Sequence, residues 1–455
     1  MHHSINSFLP FAFNKVKNSK EKDEKCSSCL PFAPRLKKKV LFVLVLLVIV
    51  LWFIYYDSCY LSHLNTSSKL NKVKPLYAPI YNIPLFHIPL LSDKDMTIFY
   101  LEISSNVWCL KQGTDLTKSK IEGKCVCISN WFGLDCGIPA AVWKSSFLLE
   151  GKNTGVEIRR RKKPRRVIVF FAVDDHSDLL SINIQSAFLL VDLFLTIEEK
   201  NHNPSVLNLV KEGYLAEYQS KIIPLQLNQS FVVEKEDKWS VFMLSELWKI
   251  GWKRLADFRP DDIFLFSHVS SIISKDILLF LKLYDGFPEP FMFELRPLLF
   301  KFWRQMKSNS TNSNVVPFKP VGCTFQYMAS MCDYEIINFF SNSCLNDLRY
   351  KSFFEKNFWS LKNWTIGNAY IPSGWQCNLC CKSECIKSKI DKYRKNGSTS
   401  LPLRYILGNT SVIEHFIEKS HFFNNDRSFE IIPRSDLFFA PEIVLNDKQY
   451  LHLIN

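Results

Sequence analysis

The stretch "VIVFFAV" (Val167–Val173) is an unbroken apolar run of strand length. A strand without polar alternation has to be covered on both faces, which is the situation of a buried, mostly parallel sheet. The downstream segments keep to that plan. "DLLSINIQSAFLL" (Asp178–Leu190) has helical spacing, "LFLTIE" (Leu193–Glu198) reads as a strand, and "KIIPLQL" (Lys221–Leu227) as a third. Val241–Phe258 predicts a helix with Leu244, Leu247, Trp248, Gly251 and Leu255 on one face. "DDIFLF" (Asp261–Phe266) is a strand. "SKDILLFLKLYDG" is a helix with Ser274 as N-cap and Gly286 beyond its end. "PFMFELRPLLFKFW" (Pro290–Trp303) reads as a strand pair or one long bent strand. Strands alternating with helices define an α/β domain, whose ligands sit beyond the carboxyl ends of the strands.

A second apolar run lies near the front. "VLFVLVLLVIVLWFIYY" (Val40–Tyr56) is uncharged. At ~1.5 Å per residue it reaches roughly 26 Å, close to the hydrocarbon thickness of a bilayer. Trp52, Tyr55 and Tyr56 close it with interfacial aromatics, and "RLKKK" (Arg35–Lys39) abuts its start. The positive-inside rule places the N-terminus in the cytoplasm and the bulk of the chain across the membrane, a single-pass type II arrangement. A cleaved signal peptide fits less well, because no small-residue cleavage site comes after it in "YYDSCYLSHL". Sequons at Asn65, Asn228, Asn309, Asn363, Asn396 and Asn409 all lie beyond the span, as do twelve of the fourteen cysteines. Both features suit a glycosylating, oxidising compartment. Cys26 and Cys29 precede the span as free thiols or lipidation sites.

The formal charge of +13 comes from two places, the tail 1–39 and the block "RRRKKPRR" (Arg159–Arg166). The rest of the chain is close to neutral, without the basic face of a nucleic-acid binder. The resulting organisation is a cytosolic tail (1–39), a signal anchor (40–56), a proline-punctuated stem (57–105), a cysteine module (106–140), a basic linker (141–166) and the α/β domain (167–455). In the module, the spacing of Cys125, Cys127 and Cys136 around Trp131 and Gly133 resembles the C-terminal half of an EGF-like unit, with Cys109 as a fourth partner. So small a piece needs disulfides to fold. Zinc is the weaker reading, since one residue between two cysteines is tight and no histidine is near. Cys377 and Cys380 form a C-x-x-C in "CNLCC". A thioredoxin-like role would want that motif opening a helix after a strand, and structural disulfides are the simpler assignment.

Three long phrases carry a family resemblance. "LADFRPDDIF" with "LLFLKLYDGFPEPFMF", "IGNAYIPSGWQCNLCC" and "FFAPEIVLNDKQYLHLIN" are similar to segments of glycosyltransferase family 17. The resemblance implies a GT-A-like fold in a Golgi membrane protein, for which association with other Golgi transferases is one open role. It also implies inverting transfer of N-acetylglucosamine from UDP-GlcNAc to the core β-mannose of a glycoprotein N-glycan, assisted by Mn²⁺. Such chemistry uses a cation to stabilise the diphosphate leaving group, hard acidic ligands to hold that cation, and a carboxylate to take the acceptor's proton.

The same resemblance exposes a departure. The family's D-D-A-D-E-I-P run falls on Ser267, His268, Val269, Ser270, Ser271, Ile272 and Ile273, so every acid is replaced. Asp261 and Asp262 remain, but at ~3.3 Å per strand residue they lie roughly 20 Å before the site. The family's Asn-His-Glu falls on Asp174, Asp175 and His176, an arginine on Asn183, and its Trp-His-Cys on Trp375, Gln376 and Cys377. No metal site is expected at Ser267, His268, Ser270 and Ser271. Without a metal, Lys275 and Arg296 are candidates to meet the diphosphate, Asp174 and Asp175 to contact uridine or ribose, and Glu294 and Asp178 to act as base. Two readings stay open: a metal-independent transferase, or a transferase-like protein that binds glycans or a partner enzyme without turnover.

Overall fold

The computed structural model describes residues 86–87, 96–150, 158–174, 177–199, 205–227, 236–252, 255–306, 318–341, 343–346, 364–395 and 429–455. Residues 1–39, expected as a cytosolic tail, the Val40–Tyr56 run, residues 57–95 apart from Phe86–His87, all six sequons, Cys26, Cys29 and Asp175 lie outside the described residues. Among the described residues no helix is long and apolar enough to cross a membrane.

The apolar run becomes strand β1 (Val167–Ala172), buried at every position. Its alternation splits it between two cores. Val167, Val169 and Phe171 enter one apolar layer, and Ile168, Phe170 and Ala172 enter the layer on the opposite face. Two-sided burial is what an uninterrupted apolar strand requires. After helix α1 (Ser177–Ala187) come β2 (Leu193–Glu199) and β3 (Ile222–Leu227), both joined in parallel. Helix α2 (Glu236–Gly251) leads to β4 (Ile263–His268), which lies parallel to β1. The chain continues through β5 (Ser271–Ile273), α3 (Lys275–Leu283), β6 (Phe291–Phe293), β7 (Arg296–Leu299) and β8 (Lys301–Met306). Next are β9 (Val321–Thr324), α4 (Phe325–Cys332), β10 (Trp364–Ile366), β11 (Gly374–Asn378), α5 (Ser383–Lys395) and β12 (Phe429–Ile431).

The main sheet runs β10-β6-β9-β4-β1-β2-β3, with β9 antiparallel to both its neighbours and the other six strands pointing one way. The mostly parallel α/β expectation is met. A second sheet, β5-β11-β7-β8-β12, branches from the end of β4. Pro290–Trp303 is neither a simple pair nor one bent strand, since it supplies β6 to the main sheet and β7 and part of β8 to the second. Phe300 takes a left-handed backbone (φ 67°) between β7 and β8, which lets the chain double back there. Helix α2 begins and ends earlier than its apolar spacing predicts. Leu255 instead joins a short parallel pair with Phe86–His87.

Arg159–Arg166 is not a solvated linker. Arg159–Arg160 pairs with Tyr284–Asp285, Arg161 bridges Asp261 and Asp285, and Arg165 reaches Asp285 and the Tyr284 carbonyl. Burial lowers Arg165 to about 9, further depressed by the neighbouring Arg161. Arg166 makes a forked contact to fully buried Asp262, at 2.8 and 2.6 Å. Asp261 and Asp262 are therefore committed to arginines at the amino end of β4, the far end from the strand tips.

Ser274 caps α3, its Oγ accepting from the Asp276 N–H at 3.3 Å. Ser274→Ala is expected to lower stability by about 1 kcal/mol in denaturant melts. A change of a few tenths would mean that water replaces the cap.

Candidate active site at the strand ends

The carboxyl ends of β1 and β4 lie side by side, Phe171 opposite Ser267 and Ala172 opposite His268, and the Val269 N–H donates to the Ala172 carbonyl. Beyond this point β1 delivers Asp174, and β4 turns back into β5. Asn183 of α1 braces the turn by donating to the Val269 carbonyl at 2.8 Å. The positions where acids were expected hold a chain of neutral hydrogen bonds. Ser271 Oγ donates to Gln376 Oε1 (2.6 Å), and Gln376 Nε2 donates to Ser270 Oγ (2.7 Å). Ser270 Oγ lies 2.7 Å from His268 Nδ1, which also accepts the Ser270 backbone N–H at 3.1 Å. A backbone N–H can only donate, so Nδ1 is an acceptor and the neutral ring carries its proton on Nε2. That Nε2 is buried, has no hydrogen-bond partner, and lies 3.7 Å from Asp174 Oδ1. Trp239 covers the imidazole edge-on, with ring centroids 5.8 Å apart.

The cation at this site belongs to the protein. Lys389 of α5 places its ammonium 2.6 Å from Asp174 Oδ2. Lys389 is only 3% exposed and shares its buried helix face with Ile386. A lysine so buried is rare unless paired. Two disulfides hold the entry to α5, Cys377–Cys380 ahead of it and Cys381–Cys385 reaching into its first turn. Cys109–Cys125 and Cys127–Cys136 close the N-terminal module, and Cys332–Cys344 joins α4 to the segment after it. The cysteines of the C-x-x-C are thus paired with each other.

The remaining sequence candidates are spread around this centre. Glu294 comes after β6, which shares its register with β4 through β9, so it lies level with His268 two strands away. It is partly exposed and paired with Lys319 at 2.7 Å. Asp178 opens α1 and meets His452 at 3.1 Å. Lys275 pairs with Glu442 on the surface. Arg296, on β7 in the second sheet, is held by Asp436 and the Phe438 carbonyl, both at 2.9 Å. The structure thus brings Asp174 together with His268, Ser270 and Ser271. It gives Lys275 and Arg296 carboxylate partners elsewhere. Lys389 was not among the sequence candidates. Its only trace in the sequence is a basic residue three places after Ile386 on an amphipathic helix, where an apolar residue belongs.

The β5–β11 ribbon has a second face. Ser271 and Gln376 are paired across it on the network side, and the next pair, Ile272 and Trp375, points the other way. There a cleft of about 710 Å³ opens, lined among others by Trp131, Gln185, Trp375, Asp276 and Glu442. Desolvation raises the Asp276 carboxyl to about 6, opposed by Lys275 and reinforced by Glu442. A carboxyl titrating there can take a proton near neutral pH, so Asp276 joins Glu294 and Asp178 as a candidate base.

Mn²⁺ does not fit the strand-end residues. The run offers serine hydroxyls and one imidazole where hard carboxylates are needed. Among the described residues the acid in reach, Asp174, already faces an ammonium. Among the described residues no group of three or more His, Cys, Asp or Glu is arranged to hold a metal.

A mostly parallel α/β sheet with a polar constellation past the ends of its central strands has the architecture of the open-sheet class, in which ligands sit at that end of the sheet. More particularly, the chain resembles the beta-1,4-mannosyl-glycoprotein 4-beta-N-acetylglucosaminyltransferases. It is 27% identical to the Homo sapiens and Rattus norvegicus proteins and 26% identical to that of Mus musculus, over 276 residues in each case. The match covers 59% of this chain and 49% of each relative, so the chain spans about half the length of the curated relatives it matches. No family model matches the chain.

Proposed function

We propose that this chain is a Golgi type II membrane protein whose α/β domain transfers N-acetylglucosamine from UDP-GlcNAc to the core β-mannose of glycoprotein N-glycans. The observation that carries the reading is the match over 276 residues to transferases named for that reaction. The fold supports it, because the polar constellation sits past the strand ends, where an open α/β sheet binds its ligand. On this reading the donor lies over Asp174 and His268, and one of Glu294, Asp178 or Asp276 takes the proton of the acceptor hydroxyl. A specific observation favours a second reading, binding of N-glycans or of a partner transferase without turnover: Ser267, His268, Ser270 and Ser271 stand where the resemblance implies acids.

One experiment separates the two. The full chain is incubated with UDP-GlcNAc and a core N-glycan, and the glycan is weighed by mass spectrometry. Gain of one N-acetylhexosamine on the core mannose supports transfer. An unchanged glycan that nonetheless binds the protein would replace the transferase reading with the binding one.

A further inference from the structure

The strand-end network is more than a metal site with its ligands removed. Among the described residues its charges are balanced: the Asp174 carboxylate faces the Lys389 ammonium, and Ser270, Ser271, Gln376 and His268 join as neutral hydrogen-bonding groups. A divalent ion placed beside Asp174 would meet the ammonium at close range and, among the described residues, would find no second carboxylate. A nucleoside diphosphate, in contrast, can take over the ammonium from Asp174 and accept from an N–H donor beside it. Lys389 carries the charge. His268 Nε2–H is a buried donor without a hydrogen-bond acceptor, 3.7 Å from Asp174 Oδ1. It is aimed at the same carboxylate that Lys389 binds.

We infer that Lys389 has taken the place of the metal: its ammonium, with the Nε2–H of His268, is the binding group for the diphosphate of a nucleotide donor, and the site uses no divalent cation. This rests on the donor-binding part of the function proposed above. The phosphate oxygens exchange for the Asp174 carboxylate as the partner of Lys389, much as one acceptor replaces another at a charge-assisted hydrogen bond. Asp174 holds the lysine in place while the site is empty. The serine–glutamine chain fixes the imidazole in the tautomer that donates from Nε2. The two disulfides at the entry to α5 set where the lysine arrives. Lys275 and Arg296 are not required, and their carboxylate partners keep them in structural roles.

The test uses calorimetry on the full chain, with Mn²⁺ alone, UDP with Mn²⁺, and UDP with EDTA. Mn²⁺ alone is expected to give no binding heat, and UDP the same Kd with and without the metal. Lys389→Met is expected to weaken UDP by about tenfold or more, the scale of one hydrogen bond to a charged group, and Lys389→Arg to restore part of it. Lys389→Met leaves Asp174 buried without its ammonium and is liable to misfold. Asp174→Asn/Lys389→Met removes both charges, keeps the shape, and should fold yet show the same loss. UDP binding that requires Mn²⁺ would overturn the inference and leave the transferase reading intact. UDP binding unmoved in the double variant would also overturn it, placing the diphosphate elsewhere. No UDP binding under any condition would remove both the lysine's role and the donor-binding reading.

Discussion

Asp262→Ala is expected to cost the folded domain about 3–5 kcal/mol, because it strips the counter-charge from a buried guanidinium. Asp262 is fully buried and Arg166 is 3% exposed. The carboxylate takes two hydrogen bonds from Arg166, at 2.8 and 2.6 Å, and a third from the Arg259 backbone N–H at 2.7 Å. The pair also fixes the start of the main sheet, since the Ile263 N–H donates to the Arg166 carbonyl just before β1 and β4 come together. With alanine in place, Arg166 keeps only the Asp257 carbonyl for the end that Asp262 had held. Urea melts measure the cost. The double variant Arg166→Met/Asp262→Leu should recover most of it, because a buried ion pair is often replaceable by apolar residues of similar volume. A single-variant loss below about 1 kcal/mol would mean that the pair behaves like an exposed one. Activity should track stability and nothing more, since the pair lies at the opposite end of β4 from His268.

That outcome bears on how the basic block is read. As text, "RRRKKPRR" looks like solvated charge, and its partners Asp257, Asp261, Asp262 and Asp285 are about a hundred residues away. Local spacing holds no information about such a pairing. The strands were legible for the converse reason. Burial on both faces leaves an unbroken apolar run in "VIVFFAV", and the Ser274 cap and Gly286 mark the ends of α3 within a few residues. The lack of acids at Ser267–Ser271 was also legible, because the resemblance sets acids as the expectation there. What filled the gap was not. Lys389 comes from a helix more than a hundred residues downstream, and only the fold sets it beside Asp174. Gln376 stood out as a substitution, yet its part in joining Ser271 to Ser270 depends on the antiparallel register of β5 with β11. Asp276 was hidden differently. An acid in the first turn of a helix is ordinary, and its environment appears only when the cleft is built around it.

Asp276 should make the domain less stable as pH rises through 6. Its carboxyl titrates at about 6 in the folded chain against 3.8 for the ordinary group, with desolvation the leading cause. The folded state therefore holds the proton more tightly than the unfolded one. The benefit is complete below pH 3.8 and is lost as pH climbs through the folded value. Lys275 opposes the shift and Glu442 adds to it, while the pairing of those two with each other limits what either can do for Asp276. Its Oδ1 is buried without a hydrogen-bond partner, so the ionised form has little to lean on. Asp276→Asn keeps the shape and removes the charge. The variant should match the parent near pH 4 and exceed it by about 2 kcal/mol at pH 7.5, allowing for the partial exposure of the residue. Thermal melts from pH 4 to 8 would read this as two curves that separate between pH 5 and 7. Parallel curves would show that the carboxyl titrates as in water and would withdraw it as a candidate base. Should the curves separate while the variant also loses transfer, the group that stores this strain would be the one that takes the acceptor's proton, and the cleft behind the β5–β11 ribbon would be where the glycan lies.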